Sequence, residues 1–146
     1  MHHCGAALVT CEDFRLHQRA DGRNCVADFV RSQGVDCDIM CRAGSIQDLV
    51  RPRPGFDESL MRDLAVSVEL HRVGRILLVN HQDCGAYGPL GLPTPEAEAR
   101  QHEEDLLEAR RILHDRFPDV EVLLFYARLE PGSDDRYVVA PLSHST

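Results

Sequence analysis

The sequence predicts an α/β layer fold with a mostly parallel central sheet flanked by helices, the sheet being ordered 2-1-3-4 with an additional C-terminal strand if strands one and three are neighbours. Three observations predict it. Short β-type runs alternate with longer helical ones in the order β-α-β-α-β-α-β-β, the pattern of parallel strands joined by helical crossovers. The runs Ala6-Ala7-Leu8-Val9-Thr10 and Arg75-Ile76-Leu77-Leu78-Val79-Asn80 are almost continuously apolar, as expected of strands covered on both faces. The helical stretches carry apolar stripes at a spacing of three and four residues.

The first strand is residues 6–10. Residues 24–33 follow as a helix with Val26, Phe29 and Val30 on one face, closed by Gly34, a residue suited to the left-handed C-cap. Residues 37–41 form a short second strand. A loop at 52–55 leads into an amphipathic helix over 57–72, with Leu60, Met61, Leu64, Ala65 and Val68 on its stripe. The third strand spans 75–80, and residues 88–95 are a loop. A long charged helix over 96–117 turns Ala99, Leu106, Ala109, Leu113 and Phe117 inward, and Pro118 ends it. Residues 120–127 and 137–140 are strands joined by Pro131-Gly132-Ser133-Asp134-Asp135. The whole of 1–146 reads as one domain, without repeats.

Charge and composition narrow the function. The chain has 146 residues and a net charge of −8, which argues against a nucleic-acid partner because phosphate binding needs a basic surface. No apolar run approaches the roughly 18 residues of a membrane span. Met-His-His-Cys-Gly does not look like a secretory leader, so a cytoplasmic location is expected. The six cysteines, Cys4, Cys11, Cys25, Cys37, Cys41 and Cys84, are therefore expected to be reduced thiols.

Ligand sites in parallel sheets lie beyond the carboxyl ends of strands where the strand order reverses. Two motifs stand there. Cys11-Glu12-Asp13-Phe14-Arg15 follows the first strand, and His81-Gln82-Asp83-Cys84-Gly85 follows the third. If those strands are neighbours, Cys11, His81 and Cys84 meet and offer two sulfurs and an imidazole, a donor set suited to Zn²⁺ with one position open. Asp13 either ligates the ion as a fourth donor or is held off it by a bidentate pair with Arg15. Read singly, these residues have plainer explanations: Cys as small buried hydrophobes and Asp13–Arg15 as a solvated ion pair.

The paired rows Cys11-x-Asp13-x-Arg15 and His81-x-x-Cys84-Gly85, about 70 residues apart, resemble the signature motifs of the β-class carbonic anhydrases. Asp38-Ile39-Met40-Cys41-Arg42-Ala43-Gly44 occupies the place where that family reads strand followed by Arg-Asn-Ala-Gly. The resemblance covers roughly residues 5 to 140 and is closest to a small, poorly characterised carbonic-anhydrase-like subgroup. It implies zinc held by Cys11, His81 and Cys84, with Asp13 and Arg15 as a catalytic dyad gating the fourth position. The implied reaction is hydration of CO2 to bicarbonate by zinc-bound hydroxide in a homodimer or larger homo-oligomer. The sequence departs from the family at Phe14, which replaces a commonly small residue and would narrow or dry the pocket, and at Cys41-Arg42. The first motif begins at residue 11, so the helical extension common in the family is expected to be absent. Two alternatives stay open: hydrolysis of small electrophiles such as COS or CS2, and a non-catalytic zinc protein closed by Asp13.

The remaining candidates are supporting groups. Gly44, Gly85 and Tyr87 are expected near the pocket. His102 lies on the inward face of the long helix four residues after Glu98, either as a group reaching the pocket or as a hydrogen-bonded core histidine. Cys37 and Cys41 share a strand face and read as buried thiols, with Cys41 a possible border of the pocket. Cys25 reads as helix packing. His2, His3 and Cys4 offer donors for a stray metal but read as a disordered terminus, and Glu103-Glu104-Asp105 as a solvated helix face.

Overall fold

A computed structural model describes residues 2–143. The single-domain expectation over 1–146 therefore extends at both ends beyond the described residues. Five strands, β1 (Ala6–Thr10), β2 (Cys37–Cys41), β3 (Arg75–His81), β4 (Glu121–Leu129) and β5 (Tyr137–Pro141), form one sheet in the order β2-β1-β3-β4-β5. All neighbours are parallel except β5, which runs antiparallel to β4. The order and directions are those expected from the sequence. After β2 the chain crosses back over β1 to form β3, so the strand order reverses between β1 and β3.

Four helices cover the faces: α1 (Cys25–Gln33), α2 (Gln47–Val50), α3 (Phe56–Leu70) and α4 (Pro95–Arg116). α1 starts at Asn24, whose side chain accepts the Ala27 N–H, and ends at Gly34 with φ 72°. α4 starts at Thr94, which caps Ala97 N–H, with Pro95 in the first turn where no N–H is needed. The sheet divides the core in two. Ala7, Val9, Ile76, Leu78 and Leu124 pack against Leu60 and Leu64 of α3 and Leu106, Ala109 and Leu113 of α4. On the other face Ala6, Leu8, Leu77 and Val79 meet Val26 and Phe29 of α1, together with Cys11, Cys84 and Tyr87.

Several expectations are corrected. α2 and the 3₁₀ turns Phe14–Leu16 and Gly85–Leu90 have no separate apolar period and are not predicted from the sequence, and residues 88–90, read as loop, belong to the last of them. Cys41 is exposed and Cys37 only half-buried, because β2 is an edge strand whose outer face lacks full helix cover. Cys4 is not part of a loose end: its N–H donates to His71 O at 3.2 Å. None of the six cysteines is in a disulfide.

The acidic run is not uniformly solvated, because Asp105 turns toward the sheet and is 4% exposed. Arg51 donates to both its oxygens at 2.9 and 2.6 Å, Tyr87 Oη at 2.6 Å and Gln101 at 3.0 Å. A buried carboxylate is tolerated when paired and fully hydrogen-bonded. Burial alone would raise the Asp105 pKa, but these donors outweigh it and hold the carboxyl below its ordinary value. Its stabilising contribution is thus complete above the unfolded value of about 3.9 and fades as pH falls through the lower folded value. Urea unfolding of wild type is expected to lose stability more steeply below about pH 4 than Asp105→Asn does; equal slopes would remove Asp105 from the acid response.

Candidate metal centre

The two motifs meet at the reversal between β1 and β3. Thr10 pairs with Val79 across the ladder, so Cys11, the next residue, reaches the same end of the sheet as His81, the last residue of β3. The turn after β3 brings Cys84 back toward Cys11. One donor atom each from Cys11, His81 and Cys84 lies within 4.8 Å of the others, and all three residues are buried. The sulfurs are 4.0 Å apart.

His81 supplies the clearest sign of what the cluster fits. Its Nδ1 lies 2.9 Å from Gln82 O and 3.2 Å from Tyr137 Oη. A carbonyl only accepts, so Nδ1 carries the proton and Nε2 the lone pair. Nε2 is buried with no hydrogen-bond partner, facing Asp13 Oδ2 at 4.0 Å, too long for a hydrogen bond. A lone pair buried beside two thiols and left unpaired fits a cation.

The sulfurs are prepared for charge. Cys11 and Cys84 share a hydrogen bond that either sulfur can donate; with Cys84 as donor the contact draws the Cys11 thiol down against the opposing effect of burial, helped by the nearby Gly44 amide. Cys84 as the donor is pushed up, by Cys11 first and burial second, with the nearby Ala86 and Tyr87 N–H groups opposing the rise. Gly44 has φ 79°, and a Cβ there would sit 2.7 Å from Gln47 Oε1 and 3.1 Å from Ala86 Cβ. Its positive φ and missing side chain are what let the turn pack against Gln47 and Ala86 beside Cys11. Gly85 opens the 3₁₀ turn that carries the other two N–H groups.

Arg15 binds both motifs together. It grips Asp13 through Nε to Oδ1 at 3.1 Å and Nη2 to Oδ2 at 2.8 Å. It also donates to Asp83 Oδ2, Asp83 O and Asp134 O. Burial tends to raise the Asp13 pKa, but the Arg15 hydrogen bonds prevail and keep it a carboxylate. Beneath the turn, Glu98 accepts the N–H groups of Asp83 at 2.8 Å and Cys84 at 3.0 Å. Asp83 has φ 61°, so the carboxylate fixes a turn in a conformation unfavourable for most side chains. His102 is 1% exposed and sits between Glu98 Oε2 at 3.4 Å and Asn80 Nδ2 at 2.9 Å. It is a hydrogen-bonded core histidine that backs the turn, the plainer of its two expected roles. Tyr87, 2% exposed, packs on the His102 ring at 3.9 Å between centroids.

Phe14 is 67% exposed, with its ring 5.1 Å from the Arg19 guanidinium, and with Asp13, Arg15 and Asp83 it lines a charged surface cleft of about 500 Å³. It leaves the cleft beside Cys84 unlined by its ring. That cleft, about 390 Å³, runs between Gln82, Tyr87 and Glu98. Sequence reading missed three contributors. Tyr137 Oη donates to Gln82 O, Gln82 Oε1 accepts Leu129 N–H, and His17 Nε2 is 2.8 Å from Cys11 O. Tyr137 lies 56 positions from His81, and no local pattern marks such a contact.

A family model described as "Putative carbonic anhydrase" matches residues 1–131. An uncharacterised protein of Rickettsia bellii is 27% identical over 89% of this chain and 80% of its own length. One of Rickettsia conorii is 26% identical over 95% and 75%. Among solved structures the fold is similar to the β-carbonic anhydrase CcaA, with TM-score 0.57 and 18% identity over 99% of this chain and 81% of that one. It is also similar to the carbonic anhydrases of Streptococcus mutans (0.56, 18%, 94% and 81%) and Glaciozyma antarctica (0.53, 19%, 92% and 80%).

Glu98→Ala frees both turn amides without touching a donor atom. It is expected to weaken zinc binding about 10- to 100-fold, the usual cost of losing a group that orients a ligand, in competition with a chromophoric chelator. Unchanged affinity would show that the turn holds its own shape.

Proposed function

The chain belongs to this carbonic anhydrase family, and from that premise we propose that it is a zinc lyase catalysing the reversible hydration of CO2 to bicarbonate and a proton. The observation that carries the proposal is the buried cluster of Cys11, His81 and Cys84 with an unpartnered His81 Nε2. Two sulfurs and an imidazole suit zinc in a tetrahedral site and leave one position for water. Bound there, zinc lowers the pKa of water and supplies a nucleophile near neutral pH.

The chain's own residues do the rest. Gln82 O holds the His81 Nδ1 proton and so presents the Nε2 lone pair. Arg15 occupies one side of the Asp13 carboxylate and keeps it anionic. The remaining lone pairs of Asp13, 4.0 Å from His81 Nε2 at the nearer oxygen, accept a hydrogen bond from the reacting water and orient it. The Asp13–Arg15 fork favours this open arrangement over one closed by Asp13 as fourth ligand. CO2 is small and uncharged and needs no fixed counter-charge; the cleft beside Cys84 offers it Tyr87 and Leu92, with Asp83 and Glu98 also on its walls. With the activity we propose a cytoplasmic homo-oligomer, dimer or larger, whose small-molecule partners are CO2 and bicarbonate.

Asp13→Asn keeps the shape but binds Arg15 poorly and accepts less strongly. The zinc-loaded variant is expected to retain its metal and lose CO2 hydration by about 10²-fold or more in a stopped-flow indicator assay. A rate equal to wild type would overturn the proposal, as would a zinc-loaded wild type no faster than buffer.

A further inference from the structure

A second set of metal donors lies at the opposite end of the sheet. Cys4 precedes β1 and Cys11 follows it, so the two sulfur-bearing positions are separated by roughly 23 Å of extended chain. Asp38 is the second residue of β2, and His71 caps α3. One donor atom each from Cys4, Asp38 and His71 lies within 4.8 Å of the others. We propose that Cys4, Asp38 and His71 form a second binding site for a zinc-class divalent ion, which ties the start of β1 to β2 and to the end of α3.

The donors are held in place by their own supports. Cys4 N–H donates to His71 O at 3.2 Å, so the backbone sets these two side chains together. Ser67 Oγ, one helical turn before His71, donates to Asp38 Oδ2 at 2.8 Å and orients the carboxylate as groups behind a metal ligand do. His71 Nδ1 lies 2.9 and 2.7 Å from the two Asp38 oxygens. In the ion's absence His71 Nδ1 is hydrogen-bonded to Asp38 and the Cys4 thiol donates to Ala6 O at 3.5 Å; on binding, the ion takes the place of the thiol proton, which is released to solvent, and the imidazole carries its proton on Nε2. Thiolate, imidazole and carboxylate together select zinc over hard ions such as Mg²⁺ or Ca²⁺. The Asp38 and His71 side chains are 28% and 40% exposed, which gives the ion a path in and leaves its fourth position to solvent. Ligands in parallel sheets gather at the carboxyl ends of strands, and this site lies at the amino ends. It acts as a clamp on three elements.

The test is elemental analysis of the full chain equilibrated with micromolar zinc and desalted. Wild type is expected to hold about two zinc per chain, and Cys4→Ser and His71→Ala about one, since loss of one of three donors removes most of the affinity. Cys84→Ser is expected to hold about one as well, at the Cys4 site, which separates failure of this proposal from failure of the catalytic one. With Co²⁺ in place of zinc, the near-ultraviolet sulfur-to-cobalt absorption is expected to fall by about a third in Cys4→Ser, one of three thiolates being lost. Should Cys4→Ser melt before analysis, Asp38→Asn serves in its place. Wild type holding a single zinc that Cys84→Ser loses and Cys4→Ser keeps, or two zinc in wild type and in every Cys4, Asp38 and His71 variant alike, would overturn the proposal and leave Asp38–His71 a plain ion pair.

Discussion

Two thiols and an imidazole nitrogen crowd within 4.8 Å of one another in a buried corner between β1 and β3, and the imidazole lone pair has no donor. Burying an acceptor unpaired costs about 1–3 kcal/mol, and keeping sulfurs ready to ionise adds to the strain on the site. The surrounding structure answers that cost locally. Gln82 O fixes the imidazole proton on Nδ1, and the backbone amides of Gly44 near Cys11 and of Ala86 and Tyr87 near Cys84 favour negative charge on the sulfurs. Each of these donors or acceptors belongs to backbone that is already fixed by the sheet or by a short turn. The cluster is pre-formed and does not wait for an ion to gather it.

Two charged side chains keep the converging loops in register. Arg15 spans from the loop after β1 to the loop after β3 and on to the segment before β5, using its planar fork on Asp13 and its outer nitrogens on Asp83 and Asp134. A lysine would offer no such fork. Glu98 reaches up from α4 to the amides of Asp83 and Cys84. These residues act on one turn, Arg15 through the Asp83 carboxylate and carbonyl and Glu98 through the Asp83 and Cys84 amides. The position of Cys84 is thereby decided by α4 as much as by the strand it follows.

Behind Glu98 the polar groups continue inward. His102, Asn80, Tyr87, Asp105 and Arg51 form a connected set of hydrogen bonds that joins α2, α4 and the 3₁₀ turn to the end of β3. Such a network is sound only if nearly every member is satisfied. Here the one anion without solvent, Asp105, has four donors, and Arg51 supplies the opposing charge. The amphipathic character of α4 is thus split. Leu106, Ala109 and Leu113 anchor its middle by apolar contact, while its first half anchors the candidate metal centre by hydrogen bonds.

The sequence by itself determined the alternation of strands and helices, the Gly34 cap and the two motif rows that follow β1 and β3. Continuous apolar runs mean strands covered on both faces, and Gly34 acts on its nearest neighbours; such signals are local and survive in one dimension. The pairing of Cys11 with His81 was legible because a parallel sheet has few ways to place two neighbouring strand ends. Tertiary structure alone decided the rest: that Asp105 is buried while Glu104 is exposed, that Phe14 points to solvent, that Cys41 lies on an open edge, and that Tyr137 and Glu98 brace His81 and Cys84. It also drew Cys4 from a presumed loose end to the side of Asp38 and His71. Those outcomes depend on which surfaces meet across the sheet and at its ends, and contacts between residues dozens of positions apart leave no period or spacing for the chain to display.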